Sequence, residues 1–219
     1  VTDWLGNSRT TVSSGRFQVI HDVLAPRTTL TVGDPKFVRN SDGVTFVSSS
    51  TPLTFTAVDD LVASGDGAGL GVDLIEVSID DGGFFVVTQG VPITLGSKGV
   101  TKEGKHKVAF RAVDSVGNPE AERFSILYID LTAPVTTSAQ TPVPNTNGWN
   151  NTDVSVNLTA TDPALADAST AGSGVKETNF SVDNGASVIG TSTPLVSQTV
   201  NTVEFFSTYN RRNVEAPHR

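Results

Sequence analysis

The sequence predicts an all-β protein made of tandem β-sandwiches. Three observations carry that reading: apolar and polar residues alternate with period two, hairpin turns are marked by Asp-Gly and Asn-Gly, and the chain repeats itself at a nearly fixed offset.

The alternation is clearest in four windows. Leu53, Phe55 and Ala57 alternate with Thr54 and Thr56, and Ile75, Val77 and Ile79 with Glu76, Ser78 and Asp80. Val108, Phe110 and Ala112 alternate with Lys107, Ala109 and Arg111, and Val154, Val156, Leu158 and Ala160 with Ser155, Asn157 and Thr159. Period two with one polar face marks antiparallel sheet with one side in water. Asp81-Gly82 and Asn184-Gly185 predict two-residue hairpin turns whose central residues both take positive φ. No stretch combines helical periodicity with caps, so no helix is expected.

The repeat is announced by a phrase, Asp-x-x-Gly-Asn, at Asp3–Asn7 and Asp114–Asn118, with a degenerate copy at Tyr209–Asn213. Asp22 maps to Asp130 (130 − 22 = 108), as Pro26 does to Pro134, Thr28 to Thr136 and Thr29 to Thr137. Thr56-Ala57-Val58-Asp59 maps to Thr159-Ala160-Thr161-Asp162 (162 − 59 = 103), and Gly71-Val72 to Gly174-Val175 at the same offset. Val77–Gly82 follows to Phe180–Gly185, whereas Val108-Ala109-Phe110 reaches Val203-Glu204-Phe205 and Asn118 reaches Asn213 at 213 − 118 = 95. The offset only falls, as it does when loops shorten while strands persist.

These spacings divide the 219 residues into two immunoglobulin-like sandwiches of about seven strands each, 22–129 and 130–219. Residues 1–21 are then a strand segment completing another repeat. After the middle turn comes the apolar strand Arg123–Ile129, and after the first comes Phe17-Gln18-Val19-Ile20-His21; nothing equivalent follows the third. The second sandwich is therefore expected to lack its final strand and to expose an edge, which natural sheets seldom leave open. Strand donation satisfies both ends: Phe17–His21 of one molecule completes the second sandwich of the next. A head-to-tail contact of that kind builds an open filament. Two alternatives stand beside it, a slice of a longer tandem-repeat surface adhesin or spacer, and an accessory module of a secreted enzyme. The last needs an aromatic strip, which two Trp and two Tyr scarcely supply.

Composition narrows the partners. A net charge of −8 argues against nucleic acid, which needs clustered Lys and Arg. The absence of cysteine removes disulfides and thiolate metal sites, so packing must hold the fold. No apolar run approaches the ~20 residues that cross a bilayer. Abundant Thr, Ser, Val, Asn and Gly suit an exported bacterial β-protein, placed outside the cell or on its surface, whose partners are copies of itself or neighbouring repeats.

Two acidic groups are candidate calcium ligands. Asp3 and Asp114 with their Gly-Asn partners, together with Asp22 and Asp130, place hard oxygens at the module junctions. Asp59, Asp60, Asp66 and Asp73 lie in a Gly-rich loop matched by one holding Asp162 and Asp167, and only Asp59 and Asp162 correspond. The competing reading is that these residues cap turns through their own backbone; the spacing lacks the regular EF-hand pattern. Trp4 and Trp149 are expected as core or interface plugs rather than glycan platforms. His21, His106 and His218 are scattered, and no Gly-x-Ser-x-Gly elbow occurs. Neither a catalytic residue nor a cofactor other than Ca²⁺ is therefore expected. Sequons at Asn150, Asn157 and Asn179 are weak signals.

The second unit also resembles a known family. Asn147-Gly148-Trp149-Asn150-Asn151-Thr152-Asp153-Val154, Leu158–Asp162, Gly172–Val175, Phe180–Gly185, Val203–Thr208 and Asn213-Val214-Glu215 resemble bacterial Ig-like surface repeats named after a leptospiral outer-membrane protein, the OmpL-type β-barrel domain. The resemblance covers most of 130–219 and, more loosely, 22–129. It departs at Tyr209-Asn210-Arg211-Arg212, where that family has Asp-x-x-Gly. It implies an exported protein of tandem modules for spacing, adhesion or assembly, with no catalytic residues. The "β-barrel" in its name implies no pore here, since the strands lack lipid-facing aromatic girdles.

Overall fold

The computed structural model describes Trp4 and Leu5, 21–62, 65–196, 199–210 and 214–219. Fourteen strands make up the described fold: β1 Arg27–Val32, β2 Lys36–Val38, β3 Thr45–Val47, β4 Leu53–Val58, β5 Val72–Ile79, β6 Phe85–Val87, β7 Gly104–Asp114, β8 Arg123–Ile129, β9 Val135–Thr141, β10 Val154–Thr161, β11 Val175–Val182, β12 Val188–Ile189, β13 Ser192–Leu195 and β14 Val203–Tyr209. The only helical element among the described residues is a single 3₁₀ turn, Gly96–Lys98.

The strands form two tandem immunoglobulin-like β-sandwiches. In the first, β1 and β4 pair antiparallel and face a six-stranded sheet ordered β2-β3-β8-β7-β5-β6. Leu53, Phe55 and Ala57 bury the inward face of β4, while Thr54, Thr56 and Val58 face outward. Phe55 meets Phe110 of the facing sheet edge-on, with ring centroids 5.7 Å apart, and Ile75, Val77, Val108, Leu127 and Ile129 close the core around them. In the second, β13-β10-β9 faces β12-β11-β14. Its core is thinner: Val156, Leu158, Phe180 and Phe205 are buried, with Val182, Leu195 and Val203 packed at the margin.

The thinness has two sources. The hairpin β2–β3, whose β3 runs parallel to β8 through Phe46–Tyr128 and Val47–Ile129, has no counterpart among the described residues of the second sandwich. Nor has the long pairing of β7 with β8, which spans Gly104–Ile129 to Phe110–Arg123. Among the described residues beyond β14, the isolated bridges Phe205–His218 and Thr208–Val214 are formed. Phe205–His218 is the equivalent of Phe110–Arg123, since both partners are displaced by 95 (205 − 110 and 218 − 123).

The hairpin turns lie one residue earlier than the sequence predicts. Positive φ falls on Asp80 and Asp81 (52° and 56°) and on Asp183 and Asn184 (51° and 60°). The closing hydrogen bonds run from Gly82 N to Ile79 O and from Gly185 N to Val182 O. Glycine follows each turn because a Cβ would stand 3.0 Å from Ile79 O or 2.9 Å from Val182 O. Its role here is close approach rather than left-handed φ.

Candidate functional site

Three aspartates meet at the end of the first sandwich where the chain enters it. Asp22 lies in the segment ahead of β1, Asp59 directly follows β4, and Asp114 closes β7. All three are buried, and each offers a carboxylate oxygen within 4.8 Å of the others'. Asp22 accepts N–H bonds from Leu24 (Oδ1, 3.3 Å) and Leu70 (Oδ2, 2.9 Å). Asp114 Oδ1 accepts from Val116 N (2.9 Å) and Asn118 N (2.8 Å), and its Oδ2 from Asn118 Nδ2 (2.7 Å). Asp59 Oδ2 accepts from Gly71 N at 2.7 Å, and its Oδ1 has no partner.

Electrostatics separates the three. Burial pushes the Asp59 carboxyl above its ordinary range; the Gly71 N–H opposes this, and the charges of Asp22 and Asp114 add to it. Burial also works upward on Asp114, but the bonds from Asn118, Val116 and Gly117 outweigh it and hold that carboxyl low.

The second sandwich reproduces this arrangement residue by residue, with one substitution. Asp130 accepts from Thr132 N (3.2 Å) and Ser173 N (2.7 Å), the equivalents of Leu24 and Leu70. Asp162 Oδ2 accepts from Gly174 N at 2.6 Å, and its Oδ1 is again unpartnered. In the place of Asp114 stands Tyr209, whose hydroxyl donates to Asp130 O at 2.6 Å. Burial pushes Asp162 up to about 6; the Gly174 N–H and Arg39 oppose this, while Asp130 and Glu103 add to it. Asp130 is raised too, chiefly by burial.

This second junction is also where the sandwiches touch. Glu103, from the loop before β7, accepts N–H bonds from Leu131, Thr132 and Ala166 and a hydroxyl bond from Thr132. Burial alone would raise its pKa, but these donors leave it lowered. Arg39 donates to Ala171 O, Gly172 O and Thr170 Oγ1, and Lys105 N donates to Asp167.

The two acidic groups separated in the sequence thus share members: Asp59 joins Asp22 and Asp114, and Asp162 joins Asp130. The other loop acids stand apart. Asp60 accepts from Gly65 N and Gly67 N, and Asp66 from Leu61, Val62 and Ala68 N, so both organise their loop backbone. Asp73 is exposed on β5. Asp3 lies outside the described residues, as do Phe17, Gln18, Val19 and Ile20 of the expected assembly strand; His21 is exposed. The tryptophans are not in the core. Trp4 is fully exposed and Trp149 is 62 % exposed. Trp149 lines an open cleft of about 520 Å³ with Gln140, Asn150, Asp153 and Leu195.

One pair of residues escaped the sequence reading. Buried Glu120 accepts from Thr28 N, Thr28 Oγ1 and Ala112 N, joining β1 to β7 across the sandwich. Glu215 does the same with Thr136 N and Ser207 N. Their separation, 215 − 120 = 95, is that of Asn118 and Asn213, and was the available signal.

No family model matches the chain, and no curated protein matches it. Among solved structures the chain is similar to fibronectin(III)-like modules of Clostridium thermocellum CbhA, at 14 % identity and a TM-score of 0.39, over 87 % of this chain and 90 % of that one.

Proposed function

We propose that this chain is a non-enzymatic structural segment of an exported bacterial surface array, in which immunoglobulin-like sandwiches follow one another and each is completed by a strand from its neighbour. The observation that supports this most is the edge of β14. Its counterpart β7 is covered by β8 along seven residue pairs, whereas among the described residues the edge of β14 away from β11 meets the segment 214–218 through the bridges Phe205–His218 and Thr208–Val214 and the bond from Glu215 N to Ser207 O. A strand added at that edge would extend the sheet over a core thinner than its twin's. Phe17–His21 is the segment whose sequence corresponds to the end of β8.

The array also accounts for the duplicated junction, because a repeating unit needs the same entrance geometry each time. The resemblance to leptospiral-type Ig-like surface repeats points the same way. No helix among the described residues is long and apolar enough to cross a membrane.

Deleting residues 1–21 and imaging the product by electron microscopy tests strand donation between copies. The expected outcome is loss of filaments, and undiminished filaments would refute it. The intact mass of the native polypeptide then decides whether the neighbour's strand arrives on another molecule or further along the same one.

A further inference from the structure

The first junction holds three carboxylates that the surrounding protein does not neutralise. Among the described residues, none of Asp22, Asp59 and Asp114 forms a salt bridge. Asp59 is only 5 % exposed, and its Oδ1 accepts no hydrogen bond. A buried, unpaired carboxylate oxygen is among the costliest groups a fold can carry. Here its nearest charged company is two more carboxylates.

The geometry points to a bound divalent cation at Asp22, Asp59 and Asp114, with Ca²⁺ as the ion that fits. The donors are all hard oxygens, without His or Cys, which disfavours zinc and copper. Calcium bonds of 2.3–2.6 Å bridge oxygens up to about 5 Å apart, and its flexible coordination tolerates a site drawn from two strand ends and the entering segment. The ion would tie the entering segment, through Asp22, to the ends of β4 and β7, and so set the direction of whatever precedes the sandwich. At the second junction Tyr209 occupies the position of Asp114, and the third carboxylate is missing. One ion per chain is therefore expected. This inference does not rest on the array, because the isolated chain reports it.

Isothermal calorimetry and thermal melts of the full chain, in calcium chloride against EDTA, test it. The expected result is one calcium per chain and a melting point raised by roughly 5–10 °C at calcium a hundredfold above its dissociation constant. Asp59→Asn and Asp22→Asn should each weaken binding at least tenfold, while Asp162→Asn leaves it unchanged. Should Asp59→Asn fail to fold, Asp22→Asn, placed in the entering segment, decides alone. A folded wild-type chain with no binding heat and equal melting points would overturn the site. Binding undiminished in Asp22→Asn would overturn its location, and equal stabilisation by magnesium would overturn the choice of calcium.

Discussion

At the entrance to each sandwich the same four groups gather: a linker aspartate, an aspartate after the second long strand, a glycine N–H that holds it, and a residue closing a later strand. Asp22, Asp59 and Gly71 match Asp130, Asp162 and Gly174, down to which carboxylate oxygen is bonded and which is left bare. Only the last member differs, Asp114 in one and Tyr209 in the other. That single difference alters how the site reaches neutrality. A third carboxylate adds charge, which a cation can balance. A phenol adds a donor and no charge, and of the two carboxylates that remain, Asp162 is pushed up to about 6, chiefly by burial. One backbone template therefore serves two electrostatic solutions.

The feature common to both sandwiches is expected to be the most sensitive. Glu120→Ala leaves Thr28 N, Thr28 Oγ1 and Ala112 N without their buried acceptor and should cost about 3–5 kcal/mol in denaturant melts. A cost under about 1 kcal/mol would mean that water replaces the carboxylate and that the cross-sheet tie is dispensable. Gly69→Ala and Gly172→Ala probe the template next. In each, the new Cβ would collide with the carboxylate of Asp59 or Asp162. Each should lose about 1–3 kcal/mol by overpacking, and unequal losses would break the equivalence of the junctions.

Tyr209→Phe examines the difference itself. It removes the hydroxyl bond to Asp130 O from a side chain that is 1 % exposed, and about 1–2 kcal/mol should be lost with no change in response to calcium. The smallest effect is a change of slope. Asp162 has a folded pKa raised to about 6 from an ordinary value near 4. The folded state therefore binds the extra proton; its contribution is fully present below about pH 4 and lost as pH rises through about 6. Asp162→Asn should flatten the melting-point profile across that window and raise it at pH 7 relative to wild type. An unchanged slope would place the proton elsewhere.

Much of this is legible in the sequence alone. Alternation at Leu53–Ala57 and Val154–Ala160 located strands with the correct faces inward, because a half-buried sheet imposes period two on the sequence itself. The repeat offsets identified the equivalent residues on both sides. Three readings failed for physical reasons. The hairpin turns moved by one residue, because Asp80 and Asp183 tolerate left-handed φ while the following glycine is demanded by contact with a carbonyl. The tryptophans read as core or interface plugs, yet neither is in the core: both are exposed, and nothing in local sequence reports exposure. The sequence groups the acidic loop as one cluster because its members are close along the chain. Asp60 and Asp66 spend their oxygens on nearby N–H groups, and Asp59 turns to partners far along the chain.

The sequence by itself determined the all-β class, the tandem duplication and the identity of equivalent positions, since each is written as a local period or a fixed spacing. Only the tertiary structure decided that Asp22, Asp59 and Asp114 share one buried site, because their meeting depends on how β4 and β7 end against the entering segment. It alone also showed that one oxygen there lacks a partner. Burial and hydrogen-bond satisfaction are sums over everything nearby, and residues separated by dozens of positions contribute to them without leaving a mark in the local pattern.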